Sequence, residues 1–533
     1  MENNMKLAWK LETNDQGKVT IQSGGQELKA GENHLIIENV HGIVNSASAS
    51  MKVPMENAKL FMNGYQTWTY CPEFSKGDKI RGLQGVPSFL VRKYSFDRYG
   101  DYHFIRYPDR KNLFHGFSWC TFRKGTQARL FASLDEQPGY TIFRYDAETE
   151  MLTMERDCAG VRIDGAFHLL DLFFTEGEET ACYDAWFKAM NKPQLQNQKL
   201  YGYSSWYNRY QNIDEKGILQ DLDGCAKILE PGDLFQIDDG WEPFVGDWLK
   251  PDAVKFPNGM KAAADAIHAK GYRAGLWLAP YAAETNSALF KEHPDWFLKK
   301  DGEPWSFGSN WSGFYGLDID NPEVLQYLKE VFHQVKDDWG FDLVKLDFLY
   351  AAAPFNTEKE SRGTRMARAM DLLRGFCGNM EILGCGIPVM PAFGKVEYCR
   401  VSCDVSLDRD DKFYMRAFHR ERVSTLHAVR TSLNRHLLNG RAYQSDPDVF
   451  FLRTQNIKLK PQEKEDLATI DALLHGVFMT SDDPGSYTPE MIDQYKRLRH
   501  LTTAKVLSVD SREGITILYE LDGKTCSFHT DLF

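Results

Sequence analysis

The feature that most constrains this fold is a strand-then-helix alternation that begins near residue 200. Eight short apolar runs recur over about 280 residues, and helical stretches separate them. An open doubly wound sheet also alternates in this way, but eight repeats favour a closed (β/α)8 barrel, or TIM barrel. The predicted strands are 202–207, 233–240, 273–280, 343–349, 381–387, 399–405, 441–451 and 476–483.

The helical stretches carry local signals for where they begin. Asn321 is placed to cap the stretch 321–339, and Pro322 occupies its first helical position, where proline is favoured. Two further helices are predicted over 364–376 and 462–474.

The regions on either side of the alternation are typical of β structure. Short apolar runs separated by turn residues fill the first 195 positions, with no long helical pattern before about 177, and predict an antiparallel sandwich. Two final runs, 514–520 and 525–533, predict a small C-terminal β domain. Because 533 residues exceed one compact core, we expect three domains. These are an N-terminal β-sandwich over 1–195, a catalytic barrel over 196–485 and a β domain over 486–533.

Composition excludes several classes of partner. The net charge is −12 and no run of Lys or Arg forms a basic stripe, so neither nucleic acid nor an anionic membrane is an expected partner. No apolar stretch is long enough to span a bilayer, and the N-terminal residues contain no secretory signal, which predicts a cytoplasmic protein. Ten scattered cysteines without a CxxC pair predict reduced, mostly buried thiols.

Polar side chains gather where the predicted strands end. In a (β/α)8 barrel the carboxyl ends of the strands form the active-site face. Packing alone does not favour so many acidic residues there, because a buried Asp is costly without partners. The carboxylates are Asp238, Asp239, Asp347, Asp404, Asp446, Asp448, Asp482 and Asp483, and they are joined by Ser205, Trp206, Trp277, Lys345, Cys385 and Arg400.

Two chemistries suit such a face. Divalent-metal hydrolysis commonly uses His ligands, and no His ends any of the eight predicted strands. Glycoside hydrolysis needs two carboxylates across one sugar and neither a metal nor a cofactor. Lys345 and Asp347 face the same side of the fourth strand, so we expect the ammonium group to lower the pKa of Asp347 and keep it ionised. An ion pair inside the barrel remains the alternative interpretation of that pair.

Several long motifs, in order from about 65 to 485, resemble glycoside hydrolase family 36. This resemblance implies retaining α-galactosidases and their relatives, with an N-terminal β-supersandwich, a catalytic barrel and a C-terminal β domain. The motifs are YQTW (65–68), SSWY (204–207), FQIDDGWE (235–242), GDWL, GLWLAPYAAE (275–284), HPDWFL (293–298), YGLDIDNPEV, VKLDFLYAAAP (344–354), ILGCGIPVMPAFGKVEYCRVSCDV (382–405) and SDPDVFFLR (445–453).

The resemblance also implies roles for individual residues. Asp347, in a K-x-D segment, corresponds to the nucleophile, and Asp404, in an R-x-x-x-D segment, corresponds to the general acid/base. Asp238 and Asp239 correspond to the pair that holds the 4- and 6-hydroxyls of the sugar. The expected substrate-binding set is Trp68, Trp206, Asp238, Asp239, Trp277, Lys345, Cys385 and Arg400. We expect the environment of Asp404 to raise its pKa so that it is protonated near neutral pH.

One segment departs from the family pattern. The family has R-I-G-P-D around the acid/base, whereas this chain has RVSCD (400–404) followed by SLDRDD (406–411). Because of this departure, the sequence does not predict the leaving-group side of the pocket or the natural aglycone. The expected partner is an α-galactoside oligosaccharide or glycan.

Other functions fit the same residues. An α-N-acetylgalactosaminidase would differ at the groups facing C2, for which Cys385 and Gly386 are the candidates. A galactosyl transferase would pass the sugar to another sugar instead of water. A non-catalytic sugar-binding protein has no need of two opposed carboxylates. The sequence does not determine the oligomeric state, and a homo-oligomer is one of the options.

Overall fold

A computed structural model describes residues 5–193, 195–196, 198–410, 415 and 418–533. Its centre is a parallel sheet whose outermost strands are Gln444–Asp446 and Val449–Phe450. The first of these pairs with Tyr398–Arg400 and the second with Val477–Thr480. They are halves of one seventh strand, interrupted at Pro447 and at Asp448, whose φ is +93°. The sheet therefore curls round onto its own seventh strand, as the predicted barrel requires. The other strands, in order, are Leu200–Ser204, Leu234–Ile237, Arg273–Leu278, Leu343–Leu346, Glu381–Gly384, Tyr398–Arg400 and, eighth, Val477–Thr480.

Helices connect these strands and follow from the sequence signals. The helix Pro322–His333 begins where it was predicted to begin, and Asn321 Oδ1 accepts the N–H of Glu323 at 2.9 Å. Only the short 3₁₀ turn Met390–Ala392 lies between the fifth and sixth strands, so the alternation is incomplete there. The connecting helices are Glu215–Cys225, Gly259–Ala269, Pro322–His333, Arg362–Cys377, Thr425–Asn434, Pro461–Leu474 and Pro489–Leu501.

An antiparallel sheet of eleven strands precedes the barrel. Ser118, at φ +68°, separates the strand Leu113–Phe117 from the strand Trp119–Lys124. The two ends of the sheet meet, since the Phe74 and Phe114 rings stack 4.6 Å apart. The sheet thus folds over a shared apolar core. Its strands are Met5–Asp15, Lys18–Leu28, Gly31–Lys52, Lys59–Met62, Glu73–Phe74, Leu113–Phe117, Trp119–Lys124, Gln127–Ser133, Tyr140–Asp146, Met151–Asp157 and Arg162–Glu178. The helix Glu179–Met190 leads from it to the barrel.

Three antiparallel strands, Lys505–Asp510, Ile515–Leu521 and Lys524–Thr530, end the chain. Two of them match predicted runs, and the first was not predicted. The preceding helix, Pro489–Leu501, packs on the barrel, with the Tyr495 ring 6.1 Å from that of Phe450. All ten cysteines are free and nine of them are buried, as predicted. Within the described residues, no helix combines the length and the apolar character needed to cross a bilayer.

A buried arginine fastens the N-terminal sheet to the barrel. Arg435, fully buried after the helix Thr425–Asn434, donates to Asn63 Oδ1 at 2.9 Å and to the carbonyl oxygen of Thr67 at 2.7 Å. It also donates to the carbonyl oxygen of Val401 beside the sixth strand at 2.9 Å. These contacts hold the segment that contains Trp68 against the open face of the barrel.

Candidate active site

A cavity of about 480 Å³ opens at the carboxyl ends of the strands. Eight of the ten predicted site residues line it. Cys385 and Arg400 do not line the cavity but lie directly behind it, in contact with residues that do. The predicted residues in the lining are Trp68, Trp206, Asp238, Asp239, Trp277, Lys345, Asp347 and Asp404.

Asp347 follows the fourth strand, with 8% of its surface exposed. Its Oδ2 accepts the indole N–H of Trp277 at 3.1 Å, and its Oδ1 accepts the backbone N–H of Phe348 at 2.9 Å. Phe348 has φ +54°, so the chain turns sharply just after the carboxylate. These donors fix the carboxylate in one orientation at the cavity floor.

Lys345 acts on Asp347 through its charge but forms its hydrogen bond elsewhere. Its ammonium group donates to Asp238 Oδ2 at 3.0 Å, across to the second strand, and not to Asp347. Burial raises the pKa of Asp347 above its ordinary value, and the nearby charge of Lys345 offsets this only in part. The predicted direction of this pKa shift was therefore wrong, because desolvation raises the pKa of Asp347 more than the Lys345 cation lowers it.

Asp404 lies at the edge of the cavity with 37% of its side chain accessible, whereas Asp347 is 8% exposed. Arg400 donates to its Oδ1 at 2.6 Å. The same guanidinium also donates to Asp446 at 3.2 Å and to Asp448 at 2.8 Å. Asp404, Asp446 and Asp448 thus share the Arg400 cation. Asp446 and Asp448, both on the seventh strand, lie behind the cavity and do not line it.

The remaining strand-end carboxylates have structural partners. Asp482 Oδ2 accepts the backbone N–H groups of Leu452 at 2.6 Å and Arg453 at 2.9 Å. Asp483 accepts the N–H of Gly485 at 2.9 Å at the start of a 3₁₀ turn. Position at a strand end therefore did not by itself identify a site residue.

The pair after the second strand is bonded asymmetrically. Asp238 Oδ2 accepts from Lys345 and from Gln236 Nε2 at 2.8 Å. Asp239 Oδ2 accepts Gln211 Nε2 at 2.9 Å and the indole N–H of Trp311 at 3.0 Å. Asp239 Oδ1 is buried, and no N–H or O–H group of the described residues donates to it.

Trp68 reaches the cavity from the N-terminal sheet, as the resemblance implied. Its indole N–H donates to Cys385 Sγ at 3.3 Å, and its ring lies edge-on to Phe348 at 5.0 Å. Gly386 adopts φ +56°, and a Cβ there would lie 2.8 Å from the Trp68 ring. The close approach of this ring therefore requires glycine at position 386.

Part of the lining was missed by the sequence analysis. The residues come from five separate stretches of the chain and are Phe96, Tyr99, Gln211, Asn310, Trp311, Phe348, Met415, His419, Glu421, Arg422 and Val423. Their only sequence signal was high aromatic content near the strand ends, which does not show which rings are exposed. Asp411, the last residue of the SLDRDD segment, lies outside the described residues.

The described residues were also compared with the requirements of a metal site. Within the described parts of the chain, no cluster of three or more His, Cys, Asp or Glu side chains is arranged to hold an ion.

Comparison with known proteins shows which enzymes this chain is similar to. The sequence model of the melibiase family matches residues 187–376. The structure of TtGalA, an α-galactosidase from Thermus thermophilus in complex with p-nitrophenyl α-D-galactopyranoside, superposes with a TM-score of 0.73 at 26% identity. It covers 97% of this chain and 98% of that one. In sequence and fold the chain is similar to the α-galactosidases of glycoside hydrolase family 36.

Curated relatives of this chain align over shorter stretches. The α-galactosidase of Escherichia coli is 27% identical over 193 residues, which are 34% of this chain and 26% of that protein. The α-galactosidase Mel36A of Lactobacillus acidophilus is 31% identical over 169 residues, which are 30% of this chain and 21% of that protein. The chain therefore matches about a quarter of the length of these relatives.

Proposed function

We propose that the protein is a retaining α-galactosidase that hydrolyses terminal α-linked galactose from oligosaccharides or glycans. The observation that carries the proposal is the meeting of Asp347 and Asp404 in one cavity whose floor also holds Asp238 and Asp239. A site with one carboxylate fixed deep in the floor and another at the outer edge suits a glycosidic bond placed between them. The T. thermophilus relative, bound to an α-galactoside, supports the same substrate class.

Asp347 is the proposed nucleophile. Trp277 and the Phe348 backbone hold its two oxygens, so a fixed oxygen faces the anomeric carbon. Its attack from the β face forms a β-linked glycosyl ester as the leaving oxygen departs from the α face. Lys345 supports the charged form of Asp347 through space, against the burial that raises its pKa.

Asp404 is the proposed general acid and base. It gives its proton to the departing oxygen and then takes one from the water that cleaves the ester, so two inversions give net retention. Arg400 is already paired with Asp446 and Asp448, so its attraction for Asp404 is shared.

The leaving group has room beside Asp404. A groove of about 640 Å³ continues outward from the cavity and shares Trp206, Asp404 and Val423 with it. Tyr210, 40% exposed, stands edge-on to Trp206 with 5.2 Å between the ring centroids. Exposed rings beside an acid suit a second sugar, which favours an oligosaccharide substrate.

Several finer assignments remain proposals. We assign the N-terminal sheet to a sandwich domain over 1–195 and the barrel to 196–485, with a C-terminal β unit after them. The helix Pro489–Leu501 packs on the barrel, so we group it structurally with the barrel. A cytoplasmic location and a homo-oligomer stay predictions from the sequence.

A panel of nitrophenyl α-glycosides tests the proposal. We expect turnover of the galactoside, with the α-glucoside and the N-acetylgalactosaminide slower by several powers of ten. Fastest turnover of the N-acetylgalactosaminide would identify a galactosaminidase instead. Transfer of galactose to an added sugar in preference to water would identify a transferase, and no turnover with retained sugar binding would identify a binding protein.

Chelation provides a second test of the two-carboxylate mechanism. Activity should stay unchanged after incubation with EDTA, because the proposed steps use only carboxylates and water. Loss of activity that a divalent ion restores would contradict the mechanism.

A further inference from the structure

A second carboxyl group lies directly behind Asp239. Gly240, at φ +116°, turns the chain so that Glu242 folds back beneath Asp239, and Glu242 Oε2 accepts the Gly240 N–H at 3.3 Å. A side chain at position 240 would lie 2.8 Å from Gln211 Cα, so this turn requires glycine. Glu242 is 4% exposed. Its carboxyl lies against that of Asp239.

Among the described residues, no cation forms an ion pair with either of these two carboxyls. Both face a cavity of about 370 Å³ that also contains Lys255 and Glu284. Lys255 Nζ donates to the carbonyl oxygens of Gln211 at 3.1 Å and Gly240 at 2.8 Å. Within the described residues, no ion pair joins Lys255 to Asp239 or Glu242.

The neighbouring carboxylates already have their own donors. Glu284 accepts the backbone N–H of Val245 at 3.0 Å and the hydroxyl of Ser312 at 2.6 Å. Asp238, whose charge also faces Asp239, is bonded to Lys345. Two buried carboxylates in contact repel each other unless a proton lies between them. Burial and the mutual contact raise the pKa of Glu242 well above its ordinary value, and burial raises that of Asp239.

We propose that Glu242 is a positioning residue whose carboxyl shares one proton with Asp239 and so fixes the Asp239 carboxylate for binding the galactosyl ring. The proton donated to Oδ1 supplies the donor that this buried atom lacks. With Gln211 and Trp311 on Oδ2, Asp239 is then held by three donors, which fix the orientation of its carboxylate at the cavity floor. The inference rests on the proposed function and adds the group that orients the sugar-binding Asp.

Two substitutions at position 242 separate positioning from bulk structure. Glu242→Gln keeps a group that donates a hydrogen bond at every pH, whereas Glu242→Ala removes it. We expect Glu242→Ala to raise KM for nitrophenyl α-galactoside about tenfold, as expected when a charged acceptor loses one hydrogen bond. Glu242→Gln should keep KM close to the wild-type value.

The pH profile gives the decisive readout. In the wild type, KM should rise on the alkaline side as the shared proton is lost and the two charges repel. In Glu242→Gln this alkaline limb should be absent. Glu136→Gln is the matched control, since Glu136 is also buried, with its pKa raised to about 7, but lies outside the cavity and should leave KM unchanged.

Thermal stability tests the shared proton without relying on activity. A carboxyl whose pKa is raised by folding binds more protons in the folded state, so its stabilising contribution is present at low pH. That contribution is lost as pH rises from about 4.3, the ordinary Glu value, through the raised folded value. The Tm of Glu242→Gln should therefore fall less with rising pH than that of the wild type.

These measurements distinguish two failures. If the wild type turns over no α-galactoside, the proposed function fails, and the Tm comparison still tests the shared proton. If the enzyme is active but Glu242→Gln raises KM as much as Glu242→Ala, the inference is overturned. It is equally overturned if neither substitution changes KM or the alkaline limb, or if the two proteins lose stability with pH in parallel.

Discussion

The cavity floor and the cavity wall of this protein are built in different ways. The floor consists of Asp238, Asp239, Lys345 and Asp347, all at strand ends, at most 8% exposed and held by hydrogen bonds from the same face of the barrel. The wall consists of Trp68, Tyr99, Trp311, His419 and Glu421, which come from irregular segments far apart in the chain. Strand register fixes the groups proposed for chemistry, whereas long-range packing fixes the groups around them.

The wall is held largely by ring contacts and by side chains that reach between segments. His419 stacks on Tyr99 with ring centroids 5.4 Å apart. Glu421 accepts the hydroxyls of Thr69 and Tyr102, each at 2.9 Å. Changes in the floor should therefore abolish steps of the reaction, and changes in the wall should alter binding.

The largest expected effect is in the floor. Asp347→Gly should fold but lose roughly 10⁵-fold in turnover, the scale seen when a catalytic nucleophile is removed. Azide should restore part of the activity and give the β-galactosyl azide, because it attacks from the vacated face. Product stereochemistry by NMR checks this, and an α-azide would mean that another residue is the nucleophile.

The paired carboxylates come next. Asp238→Asn and Asp239→Asn should each reduce galactoside turnover, and the preference over α-glucoside should fall by up to roughly 10⁴-fold. A site built to bond the axial 4-hydroxyl leaves a buried carboxylate unpaired when that hydroxyl is misplaced. Kinetics of both variants on both sugars provide the measurement. Full activity and full preference in both would remove these residues from substrate recognition.

Asp404 lies between floor and wall, and its effect should depend on the substrate. Asp404→Ala should slow the release of poor leaving groups such as that of melibiose by roughly 10²–10⁴-fold. The first step with nitrophenyl galactoside needs little acid help and should be nearly spared. Pre-steady-state rates on both substrates separate the two cases, and equal losses would contradict the acid assignment.

The smallest effect belongs to the wall. Trp311→Phe keeps a ring but loses the N–H that bonds Asp239 Oδ2 at 3.0 Å, so KM should rise roughly tenfold while kcat changes little. Trp305→Phe, a ring outside the cavity lining, serves as the control. A large loss of kcat in Trp311→Phe would show that the wall contributes to the reaction steps and not only to binding.

The same division explains what the sequence could predict. Alternation predicted the curled parallel sheet, and strand-end positions predicted that Asp347 and Asp239 would meet in one cavity, because side-chain direction on a strand follows from position alone. Spacing could not identify the partner of Lys345, which lies on a different strand at Asp238. It could not identify Trp311 or His419 either, because their places depend on how separate loops meet. The direction of the Asp347 pKa shift was wrong because the extent of burial is not visible in a motif.

The arginine that joins the two large regions limits how this protein can be divided. Arg435 belongs to the barrel, yet Asn63 and the Thr67 carbonyl, two of the oxygens to which it donates, belong to the N-terminal sheet. A barrel expressed alone would leave that guanidinium group without those acceptors and would expose to water the surface that the N-terminal sheet covers. Transplanting the catalytic region onto another scaffold therefore requires that the YQTW segment travel with it, or that position 435 be redesigned at the same time.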